Sequence, residues 1–479
     1  MREASLAIPR NLAESIPAIG LRYEKDSLVV GIPDTFTDEE VDTALDKIVS
    51  EVDVSIEAQM LSETLIRDIQ SLAYEGLGSG KFEVPTSTSA RSEGSIVDLV
   101  NRLLEAAVRM RASDIHIEPF EKEILVRIRV DGRLENLASI PGDLGPAIIS
   151  RLKVLARMSI VERRKPQDGQ FNLQIGERTI DIRLSTVATL YGEKAALRML
   201  DTRRNLGDLT TLGMSEERLE NLKRIFKAGH GLVISAGPTG SGKTTTMHSA
   251  LQLVNSPDLN VCTIEDPVEY VIEGINHIPV NEAAGLTFAT QLRAILRQDP
   301  DVVLVGEIRD AETARIAVQA ALAGRLVLST LHAPNALGAI YRLFQMGVEP
   351  YQVAASLVAV ISQRLVRRNC PFCIEPTSVS PTTKSHVQST IKRTRVNFMK
   401  GRGCTICRNT GFFDRIGAYQ LFEVNESIRE LISQRPSPNQ LESMSRKFGL
   451  LPLQEEALVL AADGQTSIDE VLGMETEDE

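Results

Sequence analysis

Apolar and polar positions alternate with a period of two in some stretches and recur at helical spacing in others, and the switches between them outline the domains. LRYEKDSLVVGIP alternates around a polar break, which predicts a pair of strands joined by a tight turn. DEEVDTALDKIVSEV and LSETLIRDIQSLAYEG place apolar residues three and four apart and predict amphipathic helices. Residues 1–75 therefore predict a small α/β domain. Residues 76–95, GLGSGKFEVPTSTSARSEGS, carry too few large apolar groups to offset the entropy of ordering, so they predict a flexible linker. SIVDLVNRLLEAAVRMRA then predicts a helix, and SDIHIEPF, EILVRIRVDGRL, FNLQIG and RTIDIRLSTV predict strands, giving a second α/β domain over 96–203. From 212 to 479, apolar strands alternate with helices, the pattern of a parallel sheet covered on both faces. No fixed-period repeat interrupts this order.

Composition agrees with a multidomain globular chain. At roughly 150 residues per domain, 479 residues make about three domains, and 43% apolar with 24% charged residues excludes both a small disulfide scaffold and a disordered chain. The longest nearly apolar run, 353–361, is broken by Ser356 and falls short of the roughly 18 residues that span a bilayer, so no transmembrane helix is expected. MREASLAIPRNLAES lacks the apolar core of a signal peptide, and the expectation is a cytoplasmic protein. The net charge of −11 is uneven: residues 1–80 hold 16 acids and 6 bases, and METEDE closes the chain as a solvated acidic tail. This balance excludes a uniformly basic nucleic-acid coat, and no nucleic-acid partner is expected.

The sharpest chemical signal lies in GLVISAGPTGSGKTTTMHSALQLV, where an apolar strand meets G-x-x-x-x-G-K-[ST] and then a helix. Gly237, Gly240 and Gly242 let backbone amides turn inward around phosphates, with Pro238, Thr239, Ser241 and Thr245 completing the loop. Lys243 is placed to reach the β- and γ-phosphates of ATP, and Thr244 to bind Mg2+. Two more strands end in acids, as phosphoryl transfer requires: NVCTIEDPVEY with Glu265, Asp266 and Glu269, and DPDVVLVGEIRD with Glu307, Arg309 and Asp310. Either Glu265 or Glu307 is a candidate to activate water.

Taken in order, SDIHIEP (113–119), RIRVDG (127–132), RRKPQDG (163–169), the P-loop, TIEDPVEY, LRQDPDVVLVGEIRD, STLHAPNALGAIYRL and QRLVRRNCPFC resemble the secretion ATPases of bacterial type II secretion and type IV pilus assembly over residues 95–465. The resemblance implies an α/β chain with a RecA-like P-loop core over 212–479, a preceding PAS-like domain and a small N-terminal partner-docking domain. It implies a cytoplasmic homo-hexamer at the inner membrane, associated peripherally through a platform protein and a membrane-anchored docking protein, that hydrolyses MgATP to power pseudopilus or pilus assembly. TIEDPVE takes the place of the family's Asp box with Glu265 a strong candidate for activating water, Glu307 the Walker B place, and His332 the His box, whether as nucleotide sensor or structural hydrogen bond. Arg183 and Arg198 match arginines that reach phosphates across an interface, with a surface ion pair as the alternative use. Arg293, Arg297 and Arg309 are further candidates for that role, with interdomain bracing the favoured use. The chain departs from the family where Arg325 replaces the usual histidine seven residues before His332 and where Ala-Pro-Asn follows it. These departures keep open an ATP-binding adaptor with little hydrolysis; a DNA-uptake or conjugation translocase is a further alternative.

Cys370-x-x-Cys373 and Cys404-x-x-Cys407 offer four soft thiolates to one structural Zn2+, within an insert over 365–415 that family members often carry. Cys262 reads as core. Lys384, Lys392, Arg393, Arg395, Lys400 and Arg402 form a basic stretch with one aromatic, Phe398, either solvated or facing an acidic loop or anionic lipid. The N-terminal domain holds no Arg-Leu-Gly pair, so cyclic di-GMP is not expected there.

Overall fold

The computed structural model describes residues 2–24, 27–52, 54–74, 93–175, 178–201, 206–207, 209–448, 450 and 452–474. The segment expected as a linker lies outside the described residues up to residue 92, and residues 93–95 open the helix Glu93–Arg109. The acidic tail beyond residue 474 also lies outside them. The chain forms two compact units, one built from 1–203, 369–377 and 399–414, the other from 204–368, 378–398 and 415–479.

The first unit begins with β1 (Ile19–Glu24) and β2 (Ser27–Pro33), the antiparallel pair the alternation predicts. A third strand, β3 (Ser55–Leu61), joins β2 in parallel and was not expected, because its side chains are exposed or only partly covered and leave no clear alternation. The helices Asp38–Val49 and Glu63–Tyr74 match the two helical patterns, the first opened by a Thr37/Glu40 capping box. After Glu93–Arg109 comes a six-stranded antiparallel sheet of β4 (Asp114–Pro119), β5 (Glu123–Val130), β6 (Arg133–Pro141), β7 (Gln167–Ile175), β8 (Arg178–Thr189) and β9 (Gly192–Asp201), in the order β6-β5-β4-β9-β8-β7. Alternate residues Ile124, Val126, Ile128 and Val130 of β5 are buried, so one face packs on the helices Glu93–Arg109 and Gly145–Leu155 while the other stays polar.

The second unit is a seven-stranded sheet built from β10 (Gly231–Ala236), β11 (Val261–Glu265), β12 (Asn276–Pro279), β13 (Val302–Val305), β14 (Leu326–Leu331), β15 (Leu357–Asn369) and β18 (Phe412–Glu423), in the order β12-β11-β13-β14-β10-β15-β18. The short pair β16 (Ile374–Pro376) and β17 (Met399–Gly401) lies in the first unit. Strands β10 to β15 pair in parallel. GLVISA, VVLV and LVLSTL are buried along their whole length, the reason these strands read as unbroken apolar runs: helices cover both faces. The order places the carboxyl ends of β11, β13, β14 and β10 side by side, where open parallel sheets bind ligands. Cys262 on β11 is buried, as expected of a core residue. Among the described residues, no helix is long and apolar enough to cross a membrane.

Candidate nucleotide site and cysteine cluster

Strand β10 runs into the P-loop, and the helix Lys243–Val254 starts at its far end with Gly242 as N-cap at φ +86°, a left-handed conformation that glycine adopts without strain. The loop is braced from behind by Gln363 of β15, whose Nε2 donates to the Ser241 carbonyl at 2.6 Å while its Oε1 accepts from Ser235 Oγ at 3.1 Å. Lys243 Nζ donates to the carbonyls of Gly237 and Pro238, both at 2.8 Å. Burial pushes the Lys243 ammonium below the ordinary lysine range, and Glu307 partly offsets that. The Ser241 hydroxyl is buried and has no hydrogen-bond partner among the described residues. An orphan hydroxyl, a buried cation and a helix N-terminus in one loop fit an anionic phosphate chain.

Glu307 follows β13 and faces this loop from the neighbouring strands. Its Oε1 accepts from Arg309 at 2.5 Å, and His332 Nε2, just past β14, lies 3.5 Å from Oε2. Arg309, expected as an interdomain brace, thus holds an acid of the site itself and also lies 3.8 Å from Asp266. Burial and then Lys243 hold His332 below the ordinary histidine range, so near neutral pH the ring is uncharged and offers one N–H. Asp310 caps the helix Ala311–Leu322 by accepting from Glu312 and Thr313 amides. Arg293 pairs with Glu312, and Arg297 donates to the Arg293 carbonyl at 2.9 Å.

Glu265 closes β11 in a different setting. It is 3% exposed, and three donors surround its oxygens: His248 Nε2 at 2.9 Å, His277 Nδ1 at 2.9 Å and Thr263 Oγ1 at 2.6 Å. Burial alone would raise its pKa, but the hydrogen bonds from both histidines prevail and lower it to about 2. Burial likewise disfavours charge on His248, yet the bond and charge of Glu265 win and raise its pKa above the ordinary value. His248, His277 and Gln363 do not follow from motif reading; the one local signal is that His248 stands four residues after Thr244, hence on the same helix face.

Arg325 sits at the opposite end of β14 from His332, where its amide-bearing neighbour Leu326 pairs with Gly231 and its guanidinium donates to the Ala323 carbonyl at 3.4 Å. A strand of this length spans about 20 Å, so Arg325 braces no acid of the site. In the first unit, Arg183 and Arg198 are direct cross-strand partners, and Arg198 is opposite Asp114. Asp181 lies 3.8 Å from Arg183, and Asp114 lies 3.3 Å from Arg198. The acids relieve the repulsion of two cations placed side by side.

The four cysteine sulfurs are buried and lie within 4.8 Å of one another. Sγ–Sγ separations of 3.8 Å (Cys370–Cys404), 3.8 Å (Cys373–Cys407) and 3.6 Å (Cys404–Cys407) match the ~3.8 Å edge of a tetrahedron with Zn–S bonds of ~2.3 Å. The amides of Cys404 and Gly411 donate to Cys407 Sγ at 3.1 and 3.3 Å, contacts that suit a sulfur carrying negative charge. The cluster packs on the first unit's N-terminal layer, against Ile19, Leu21, Ile66, Ile69 and Ala73, with Phe372 meeting Phe413 edge-on. Arg408 pairs with Glu135 and Arg111 stacks on Phe413, fixing the cluster to the six-stranded sheet as well. Within the basic stretch, Arg393 pairs with Asp463 and the Arg402 amide donates to the Cys373 carbonyl.

Comparison with known proteins places these features in a family. A family model described as "Type II/IV secretion system protein" matches residues 89–473. The chain is 42% identical over 383 residues to the Type II secretion system ATPase E of Vibrio cholerae, covering 80% of this chain and 76% of that protein. It is 38% identical over 473 residues to the Type II secretion system protein HxcR of Pseudomonas aeruginosa, covering 98% and 93%. Among solved structures, the ATPase DotB of Legionella pneumophila shares the fold at 21% identity with a TM-score of 0.58, covering 79% of this chain and 96% of that one.

Proposed function

Because the chain belongs to the Type II/IV secretion system protein family, we propose that it is a secretion ATPase that hydrolyses MgATP to drive assembly of a type II pseudopilus or a type IV pilus. The observation that carries this reading is the joint placement of a P-loop bearing Lys243 and Thr244 and an acid, Glu307, held by Arg309 and His332 at the carboxyl ends of adjoining strands. The loop amides and Lys243 bind and orient the phosphates. Mg2+ would be held by Thr244 and, through water, Glu307, and supplies neutralisation of the phosphate charge. Water adds its oxygen to the γ-phosphorus, the bond from that phosphorus to the bridging oxygen breaks, and ADP leaves; the water's proton passes to a carboxylate of the site, and His332 N–H hydrogen-bonds near the cleaved phosphate.

The same reading assigns six copies to a ring at the cytoplasmic face of the inner membrane, held there by a platform protein and a membrane-anchored docking protein, with Arg183 and Arg198 stabilising phosphoryl charge across the subunit boundary. Of the two departures behind the adaptor alternative, Arg325 stands at the far end of β14 from the site, which favours hydrolysis, while Ala333-Pro334-Asn335 still follows His332. The test is MgATP turnover per subunit across a wide protein concentration range, with Glu307→Gln as blank. Turnover that climbs with concentration supports a site completed between chains; a rate at the blank's level at every concentration overturns hydrolysis by the isolated protein.

A further inference from the structure

The groups around Glu265 come from three separate elements and converge on one carboxylate. His248, on the P-loop helix, is buried; its Nδ1 faces the Thr244 carbonyl oxygen at 2.9 Å and its Nε2 faces Glu265 Oε2 at 2.9 Å. Both partners are acceptors, so both ring nitrogens act as donors. His277 of β12 has the complementary arrangement: its Nε2 accepts from the Ile272 amide at 3.1 Å, which leaves the hydrogen on Nδ1 to donate to Glu265 Oε1. Thr263 of β11 donates to the same oxygen. Tyr270 closes the pocket, with its ring 5.2 Å from that of His248 and its hydroxyl 3.3 Å from Thr245 Oγ1. Three donors take three of the roughly four lone-pair sites of this carboxylate, and at 3% exposure it has little room for a water, whereas Glu307 keeps 18% of its side chain exposed and lies close enough to Lys243 to stabilise its charge.

The same contacts form a continuous mechanical link. Thr244, next to the phosphate-binding Lys243, is tied through His248 to Glu265; Ile264, beside it, accepts a hydrogen bond from the Gly306 amide at 2.8 Å; and Gly306 precedes Glu307. The spacing between the helix that holds phosphates and the strand end that carries Glu307 thus passes through the histidine pair. We propose that His248 and His277 are positioning residues for ATP hydrolysis: they lock Glu265 as a strut between the P-loop helix and β11, and proton acceptance falls to Glu307. This rests on the hydrolytic reading above.

The experiment uses the full chain and the variants His248→Ala, His248→Gln, His277→Ala and Glu265→Gln. Losing the strut misplaces groups by a fraction of an ångström, so His248→Ala and His277→Ala are expected to lower kcat about 10- to 100-fold with the MgATP KM and ADP affinity changed by less than about threefold. His248→Gln keeps an N–H donor toward Glu265 and is expected to recover most of the lost kcat. Glu265→Gln is expected to fall in the range of the histidine variants, above the Glu307→Gln background. Unchanged kcat in His248→Ala, no recovery in His248→Gln, or Glu265→Gln as inactive as Glu307→Gln would each overturn the proposal. Amide hydrogen exchange gives a readout that needs no turnover: His248→Ala is expected to speed exchange over 243–248 and 261–265, and His248→Gln to restore it. Unchanged exchange overturns the strut even in a protein that hydrolyses nothing, while a silent wild type with that exchange response overturns only the hydrolytic reading.

Discussion

A methyl group at residue 237 tests the phosphate loop more sharply than loss of its charge. In Gly237→Ala the new Cβ would lie 2.4 Å from Ser241 Oγ and 2.7 Å from the Gln363 carbonyl oxygen. The two clashes differ in kind. The serine hydroxyl rotates away at little cost, but the Gln363 carbonyl belongs to β15, which is in parallel register with β10 from Val233–Ala359 to Ala236–Ser362. A carbon–oxygen contact settles near ~3.3 Å, so about 0.6 Å must be taken up by the loop rather than by the sheet. Overpacking on that scale costs ~1–3 kcal/mol. If the loop meets that cost by drawing away from the phosphates, affinity falls roughly 5- to 150-fold, at 1.4 kcal/mol per factor of ten. Titration calorimetry with a non-hydrolysable MgATP analogue, on the wild type, Gly237→Ala and the double variant Gly237→Ala/Ser241→Ala, measures this directly. The double variant is expected to stay within about threefold of the single one. Wild-type affinity in Gly237→Ala would refute the cradle, and full rescue in the double variant would refute the rigid role of β15.

Other expectations follow from the same geometry. Lys243→Ala removes the only ammonium of the loop, and its affinity for MgATP is expected to fall by about tenfold or more; equal binding in a filter assay would remove the phosphate assignment. Metal analysis is expected to find about one zinc per chain, and its removal by chelator to speed proteolysis within the first 74 residues while nucleotide binding holds; unchanged digestion of zinc-free protein would refute the cluster's structural role. The Glu265 carboxyl is lowered from 4.5 to about 2, so its contribution is fully present above the unfolded value and is lost as pH falls through about 2. That difference is on the order of 3 kcal/mol. Between pH 5.5 and 3 the wild type should therefore lose more urea resistance in its second unit than Glu265→Gln; parallel losses would show that the buried clamp contributes nothing.

Local motifs were legible in the sequence, and contacts made across long separations were not. The P-loop is legible because its strand, turn glycines and helix are contiguous, and Glu265 and Glu307 because each ends an apolar run. Gln363 escaped notice: its partners Ser235 and Ser241 lie more than a hundred residues away, and a polar residue within a strand carries no label of what it braces. His277 meets Glu265 only because β12 pairs with β11, a register that no spacing rule supplies. The cysteine spacing announced a tetrahedral site but not the layer it rests on, since Ile19 and Ile66 look like ordinary core residues of their own domain. β3 escaped because a strand with little buried surface has no alternation to read.

The seat of the cysteine cluster bears on the order in which the chain is made. Ile19, Leu21, Ile66 and Ile69 emerge from the ribosome early, yet the residues that cover them, Cys370 to Cys407, are added only after the whole P-loop sheet from β10 to β14 has been synthesised. At roughly 5–20 residues per second the nascent N-terminal layer waits tens of seconds with that apolar face uncapped. Completion of the first unit is therefore a late event in biogenesis: its first-made residues are the last to be sealed.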